Sequence, residues 1–261
     1  MCPFNDHDND HDLAVAIAHA AGGLLNMVRA SPLLHGKQRG HAGDTVANAF
    51  ITQLLQAQRG GDGFLSEETA PDPARLDKPR VWIIDPLDGT REYGELELGR
   101  EDWAVHIALT EHGHPTACAV GLPAAGLVFS TASPPAIPAA PPGKLKIVVS
   151  RSRAPAIAQE VADALDAELL PMGSAGAKAM AVLTGAAHAY LHAGGQYEWD
   201  SCAPVGVALA AGLHASRIDG SPCRYNQPDP WMPDLLICRP ELADLILDAI
   251  ATAKANQTTA P

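Results

Sequence analysis

The residues best suited to chemistry in this chain are carboxylates. Asp85-Pro86-Leu87-Asp88-Gly89-Thr90 follows an apolar run, Val81-Trp82-Ile83-Ile84, and Glu67-Glu68 lies a short way upstream. Trp199-Asp200-Ser201-Cys202-Ala203 stands far along the chain. Carboxylates gathered at a strand end repel one another and take up protons unless a cation neutralises them. Hard oxygen donors of this kind suit Mg²⁺, Mn²⁺ or Ca²⁺ rather than Zn²⁺. Phosphate monoesters hydrolyse slowly because the ester is anionic and the leaving alkoxide is poor. A metal cluster answers both problems, lowering the pKa of a bound water and steadying charge on the leaving oxygen. The pattern reads as a Mg²⁺-dependent enzyme acting on phosphate.

Each residue has a physical task in that reading. Pro86 locks φ between the two aspartates. Gly89 lets the backbone come close to a phosphate. Thr90 offers a hydroxyl that can orient a water, and Glu67 can complete one metal's shell. Asp200 precedes an apolar helix whose free N–H groups attract a phosphate oxygen. Taken singly, each has a plainer reading: Asp-Gly-Thr as a turn, Glu-Glu as a solvated edge, Trp-Asp as an N-cap. The conjunction carries the argument.

The elements that must position these residues follow from periodicity. Residues 1–11 mix Asp, Asn and His and read as a solvated tail. From Asp12, a capping candidate, Leu13, Ile17, Leu24 and Val28 recur at helical spacing; a second helix is expected after Asp44, with Val46, Phe50, Ile51, Leu54 and Leu55 inward. Phe64–Ser66 and Val81–Ile84 read as strands, the second buried on both faces. Runs at Ala104–Leu109, Thr116–Gly121 and Leu127–Thr131 alternate like strands, with a hairpin turn over Glu111–Pro115. Ser133–Gly143, with five prolines, is the expected linker.

Beyond it come a strand at Leu145–Val149, a helix over 155–166, a strand at Glu168–Pro171 and a helix around 175–184. Tyr190–Gln196 reads as a strand and turn, followed by a helix from just after Asp200 to near Gly212. Asp219–Pro222 is a turn, and the strand Leu235–Cys238 precedes a terminal helix. The expected organisation is a tail (1–11), an α+β half bearing the metal site (12–132), the linker (133–143) and an α/β half (144–261), with the site between the halves.

Composition narrows the class. The 261 residues are 47% hydrophobic but only 5% aromatic, so the core should be tight helix-on-sheet packing of small side chains. No apolar run is long enough to span a membrane, and residues 1–8 have no secretory pattern, so a cytoplasmic location is expected. Five scattered cysteines without a C-x-x-C argue against disulfides or zinc. A net charge of −12 excludes a general binder of polymeric nucleic acid but not a small polyanionic substrate.

Glu67-Glu68, Trp82–Thr90 and Trp199–Ala203 together resemble the D…EE…DPxDGT…WDxxA set of the lithium-sensitive, Mg²⁺-dependent inositol monophosphatase-like superfamily. The resemblance runs from about residue 12 to 250 and implies a five-layer αβαβα sandwich. It makes Glu67, Asp85 and the Leu87 carbonyl ligands of one metal, and Asp85, Asp88 and Asp200 ligands of a second. Asp44 resembles the family's isolated upstream aspartate, although it stands in His41-Ala42-Gly43-Asp44 rather than Thr-x-Ala-Asp. With Glu67 and Thr90 it would position the attacking water, with a third, weaker Mg²⁺. Whether Glu67 or Glu68 is the main ligand rests on the resemblance. Two to three Mg²⁺ per site are implied, with Mn²⁺ as a substitute.

Within the superfamily, Val149-Ser150-Arg151-Ser152 resembles the V-S-R-S-H stretch of 3′(2′),5′-bisphosphate nucleotidases, with Arg153 in place of the His. Gly173-Ser174-Ala175-Gly176-Ala177-Lys178 resembles their G-S-S-L-K, and Arg91-Glu92-Tyr93 their continuation of the first motif. The full set is similar to the actinobacterial branch of the CysQ-type enzymes. A substrate with two phosphates needs a second cationic pocket, and Arg151 and Lys178 are its expected suppliers. Gly89, Thr90, Ser150, Ser174 and Asp200 join them as expected substrate contacts. Tyr197 and Glu198 are further candidates to line the pocket, and Tyr197 reads equally well as packing. Histidines 106, 188, 192 and 214 read as packed, hydrogen-bonded residues rather than ligands.

The expected reaction is hydrolysis of 3′-phosphoadenosine 5′-phosphate (PAP) to AMP and phosphate, with the 5′-phosphosulfate analogue (PAPS) as a further substrate, in sulfate assimilation. Inositol-1-phosphate or fructose-1,6-bisphosphate is the rival substrate, and a non-catalytic phosphate-binding protein the rival class. Family members are commonly dimers, so a homodimer is implied.

Overall fold

The strand Arg80–Asp88 sets the layering, because its alternate side chains enter two different cores. Trp82 and Ile84 lie in a cluster with Leu13, Ile17, Leu25, Ile51 and Leu55, whereas Val81 and Ile83 lie in one with Val182, Cys202 and Val207. Such a strand must sit inside a sheet covered on both faces.

The computed structural model describes residues 9–259. Its first sheet runs in the order β1 (Gly63–Ser66), β2 (Arg80–Asp88), β3 (Ala104–Glu111), β4 (His114–Leu122) and β5 (Leu127–Ser130). Only β1 and β2 are parallel; the others meander antiparallel. Glu111 pairs with His114 across a two-residue turn in which His112 and Gly113 have φ of 51° and 78°. Positive φ at both turn positions matches the right-handed strand twist, which makes this the tight hairpin anticipated there.

The second sheet contains β6 (Lys146–Ser150), β7 (Glu168–Met172), β8 (Ala189–Tyr197), β9 (His214–Ser216) and β10 (Trp231–Cys238), in the order β7-β6-β8-β10-β9. Helices α1 (Asp10–Arg29) and α2 (Gly36–Arg59) cover the outer face of the first sheet, and a short α3 (Thr90–Gly94) follows β2. Helix α4 (Ala156–Ala164) lies outside the second sheet; α5 (Ala175–Leu183) and α6 (Glu198–Ala210) fill the space between the sheets; α7 (Ala243–Thr259) joins α4 outside. The result is an αβαβα sandwich. In α6, Ser201 through Ala208 are all buried, as a helix wedged between two sheets requires. Residues 131–145 join the sheets without helix or strand, and Ile137 packs on the middle core.

Several boundaries differ from expectation. The first helix starts at Asp10, capped by Asn9, whose side chain accepts from Asp12 N at 2.8 Å; the rest of the expected tail, residues 1–8, lies outside the described residues. Leu25 rather than Leu24 faces the core, and Val46 is exposed. The second helix begins at Gly36, eight residues before Asp44, so Asp44 sits inside it. Gly40 and Gly43 mask that start by lowering helix propensity, yet packing requires them. A Cβ on Gly40 would lie 2.7 Å from Thr90 Cγ2, and one on Gly43 2.8 Å from Tyr93 Cε1. Asp200 likewise lies within the first turn of α6 rather than before it.

Candidate active site

The end of β2 brings Asp85 and Asp88 together through an irregularity. Strict alternation would send residues three apart to opposite faces. The pairing with β3 is regular to Asp85↔His106, then slips before Asp88↔Ala104. Pro86 lies in that slip, where its missing N–H interrupts no ladder bond. Both carboxylates thereby reach the middle layer, where the N-terminus of α6 presents Asp200. Ligand oxygens of Asp85, Asp88 and Asp200 all lie within 4.8 Å of one another. Gly89 turns the chain into α3 at φ 87°, and a Cβ there would stand 3.2 Å from Asp102 O, Trp103 Cα and Ser174 Cβ. A side chain would therefore be both strained and crowded.

Glu67 leaves β1 with its N–H donating to Ile84 O at 3.3 Å, and its carboxyl meets that of Asp85. The charge of Glu68 acts on both Asp44 and Glu67. Thr90 Oγ1 lies 3.1 Å from Leu87 O and 3.4 Å from Asp44 Oδ1. With one proton, it donates to one of them at a time. The second lone pair of the Leu87 carbonyl stays available.

The electrostatics divide these acids sharply. Asp44 is raised to about 8 by burial and then by Glu68 and Glu67. Glu67 is raised to about 7 by desolvation and then by Asp200, and Asp200 to about 6 by burial and then by Asp88. Asp85 is pushed well above the carboxylate range by burial, Glu67 and Asp88. Asp88 goes the other way. Burial opposes its charge, but His106, Lys178 and Ser174 hold it below the ordinary value. Its Oδ2 accepts from Ser174 Oγ at 2.5 Å and Gly176 N at 2.7 Å, with His106 Nε2 at 3.2 Å. An all-oxygen set of crowded acids whose ionisation is opposed by burial and by one another fits a hard divalent cation that would neutralise them.

Glu67, Asp88 and Asp200 line one end of a cleft of about 420 Å³. Ser150, Arg151, Arg153, Ser174, Lys178, His192, Tyr197 and Trp231 line the rest. The cations there are not equivalent. The Arg151 fork is occupied by Glu92 Oε1 at 2.6 and 3.1 Å and Glu95 Oε2 at 3.0 Å. Lys178 is only 5% exposed and donates to Gly173 O and Ser174 O, each at 2.7 Å. Arg153 is exposed and its guanidinium has no hydrogen-bonding partner among the described residues. Ser174 caps α5 through Ala177 N at 3.0 Å while donating to Asp88, so its hydroxyl is committed within the protein. Ser150 Oγ accepts from Arg153 N at 3.3 Å.

One candidate takes a different place from that expected, and one histidine, packed as expected, has a further contact. Glu198 is fully buried, accepting from Asn226 N and Gln227 N at 2.7 Å, and does not line the cleft. His106 is buried and hydrogen-bonded through Nδ1 to Trp199 O at 3.0 Å, yet its other nitrogen supports Asp88. The signal for that second role was its place at mid-strand, opposite Asp85, which becomes informative only once the register is known.

Comparison with known proteins agrees with this geometry. The profile of the inositol monophosphatase family matches residues 12–255. A 3′-phosphoadenosine 5′-phosphate phosphatase of Mycobacterium bovis is 56% identical over 222 residues, 82% of each chain. Its namesake in Mycobacterium leprae is 48% identical over 254 residues, covering 92% of this chain and 93% of its own. The crystal structure of CysQ from Bacteroides thetaiotaomicron superposes with a TM-score of 0.75 at 23% identity, over 88% of this chain and 96% of that one. On the profile and on the identity to the mycobacterial proteins, the chain belongs to the inositol monophosphatase family.

Proposed function

We propose that this chain is a Mg²⁺-dependent phosphatase that hydrolyses the 3′-phosphate of PAP, giving AMP and phosphate, and that PAPS is a further substrate. The observation that carries this is one cleft lined both by Glu67, Asp88 and Asp200 of the crowded acids and by the exposed Arg153. A bisphosphate fits that polarity, and the mycobacterial relatives bear the name of this activity. Mg²⁺ is the natural occupant, Mn²⁺ its substitute, with two to three ions among Glu67, Asp85, Leu87 O, Asp88 and Asp200. Bound there, the cation supplies positive charge to the phosphoryl oxygens and the leaving 3′ oxygen.

The chain's own groups do the positioning. Thr90 Oγ1, fixed between Leu87 O and Asp44 Oδ1, orients the attacking water together with Asp44 and Glu67. Asp88, clamped by Ser174, Gly176 and His106, keeps a constant aim. Lys178 adds buried positive charge behind the phosphate, and Arg153 holds the second phosphate. Arg151, engaged by two glutamates, shapes the wall and contacts substrate less than its charge suggests. The described cysteines are buried free thiols, in keeping with the reducing cytoplasm where sulfate is assimilated.

The test is phosphate release from PAP, inositol-1-phosphate and fructose-1,6-bisphosphate side by side in Mg²⁺, with and without Li⁺. PAP should lead in kcat/KM by roughly a hundredfold, about 2.7 kcal/mol of transition-state preference. Millimolar Li⁺ should inhibit. A lead for either sugar phosphate would end the nucleotidase reading.

A further inference from the structure

The cleft also carries two large aromatic side chains that neither the cation nor a phosphate requires. Tyr197 and Trp231 are 45% and 49% exposed, and both line the cleft that contains Asp88 and Asp200. They are direct partners across the β8–β10 pairing. Opposed residues of an antiparallel pair project to the same face of the sheet, so both side chains lie on the face that borders the cleft. Behind them lies support. Trp199, almost buried, stacks on Tyr197 with centroids 4.7 Å apart and planes 12° from parallel. The Trp231 indole sits against Gly195: a Cβ there would fall 2.7 Å from Nε1, and φ of 95° disfavours any side chain. The aromatic surface is thus held rigidly at both ends while half of it is left open. In a concave site this size, such a surface suits a flat ring, and a polyol offers no π-face to it.

We propose that Tyr197 and Trp231, backed by Trp199 and seated on Gly195, form a stacking platform for the heteroaromatic base of the substrate. This rests on the phosphatase reading above and deepens it, by naming the residues that separate nucleotides from sugar phosphates. The acidic end handles any phosphomonoester; the platform chooses which one is presented. Stacking is tolerant of base identity, so adenine and guanine nucleotides should be accepted within a narrow range.

The test measures binding of AMP and ribose 5-phosphate by calorimetry in Mg²⁺, with PAP turnover followed in parallel. The wild-type protein should bind AMP at least roughly tenfold tighter than ribose 5-phosphate, the range of one base–aromatic stack. Tyr197→Leu and Trp231→Leu should each remove most of that preference and leave ribose 5-phosphate binding unchanged. Tyr197→Phe, which keeps the ring, should retain it. Equal binding of the two probes by wild type, or equal loss of both in the leucine variants, would overturn the platform and make these packing residues. Failure of the phosphatase reading is separately visible: AMP preferred over ribose 5-phosphate, with no phosphate released from PAP, would sink the nucleotidase and leave the platform standing.

Discussion

The acids and the bases around the cleft use charge in opposite ways. Among the clustered acids, Asp44, Glu67, Asp85 and Asp200 all have raised pKa values, because burial and one another oppose ionisation more than nearby donors favour it. Along the basic wall, Arg151 is held by Glu92 and Glu95, and Lys178 by two backbone carbonyls. Arg153 alone faces the cleft as an exposed cation without a hydrogen-bonding partner among the described residues. Residue type therefore identifies a candidate site, but neutralisation by neighbours decides which charges are left for a ligand. Asp88 shows the two regimes meeting: one oxygen is fixed by Ser174, Gly176 and His106, within an otherwise uncompensated cluster.

The largest effect should come from removing the charge at that meeting point. Asp88→Asn preserves shape and an acceptor oxygen, so the melting temperature should stay within a few degrees. Turnover at saturating Mg²⁺ should fall by roughly a thousandfold, about 4 kcal/mol in the barrier. Substantial residual kcat would mean that the acidic end is not the catalytic one. Thr90→Ala comes next. It removes the hydroxyl between Leu87 and Asp44 and should lower kcat by about a hundredfold, the scale of a lost proton-positioning group. A change confined to KM would instead make Thr90 a binding contact.

On the basic wall a paired comparison separates the cations. Arg153→Ala should raise KM for PAP about tenfold, roughly 1.4 kcal/mol, while kcat and melting temperature hold. Arg151→Ala should do the reverse. It leaves the buried Glu92 without its partner, so the melting temperature should drop by several degrees, with KM changing less than in the Arg153 variant. If the arginines behaved alike, the distinction between neutralised and available charge would fail.

How much of this was legible in the chain follows the same division. The acidic end was readable because its residues are contiguous in motifs and its strand, Val81–Ile84, announces itself by hydrophobicity. What could not be read was the slip between Asp85 and Asp88, without which the two carboxylates would point apart. On the basic wall the types were right and their states were hidden, because the partners of Arg151 lie far away in sequence, on and just beyond α3. The starts of α2 and α6 were misplaced for related reasons. Glycines demanded by packing against Thr90 and Tyr93 imitate a loop, and Asp200 sits where a cap would be expected. Three-residue β9 had too short a pattern to be seen, and Trp231 stands seven residues from Cys238, before the Leu235–Cys238 run by which β10 was recognised.

The smallest predicted effect tests the acidic end without any substitution. A carboxyl whose pKa is higher folded than unfolded binds more protons in the native state, so stability falls as pH rises between the two values. For Asp44 that window runs from its ordinary 3.8 to about 8, and for Asp200 from 3.8 to about 6. The protein in chelator should accordingly melt at progressively lower temperature from pH 5 to pH 8. Mg²⁺ competes with those protons, so its stabilisation should grow over the same range. The basic residues predict no such trend, since a guanidinium group does not deprotonate in this range. A Mg²⁺-induced shift that is flat with pH would mean that the cation binds away from these carboxyls, and the contrast between the two ends would lose its physical basis.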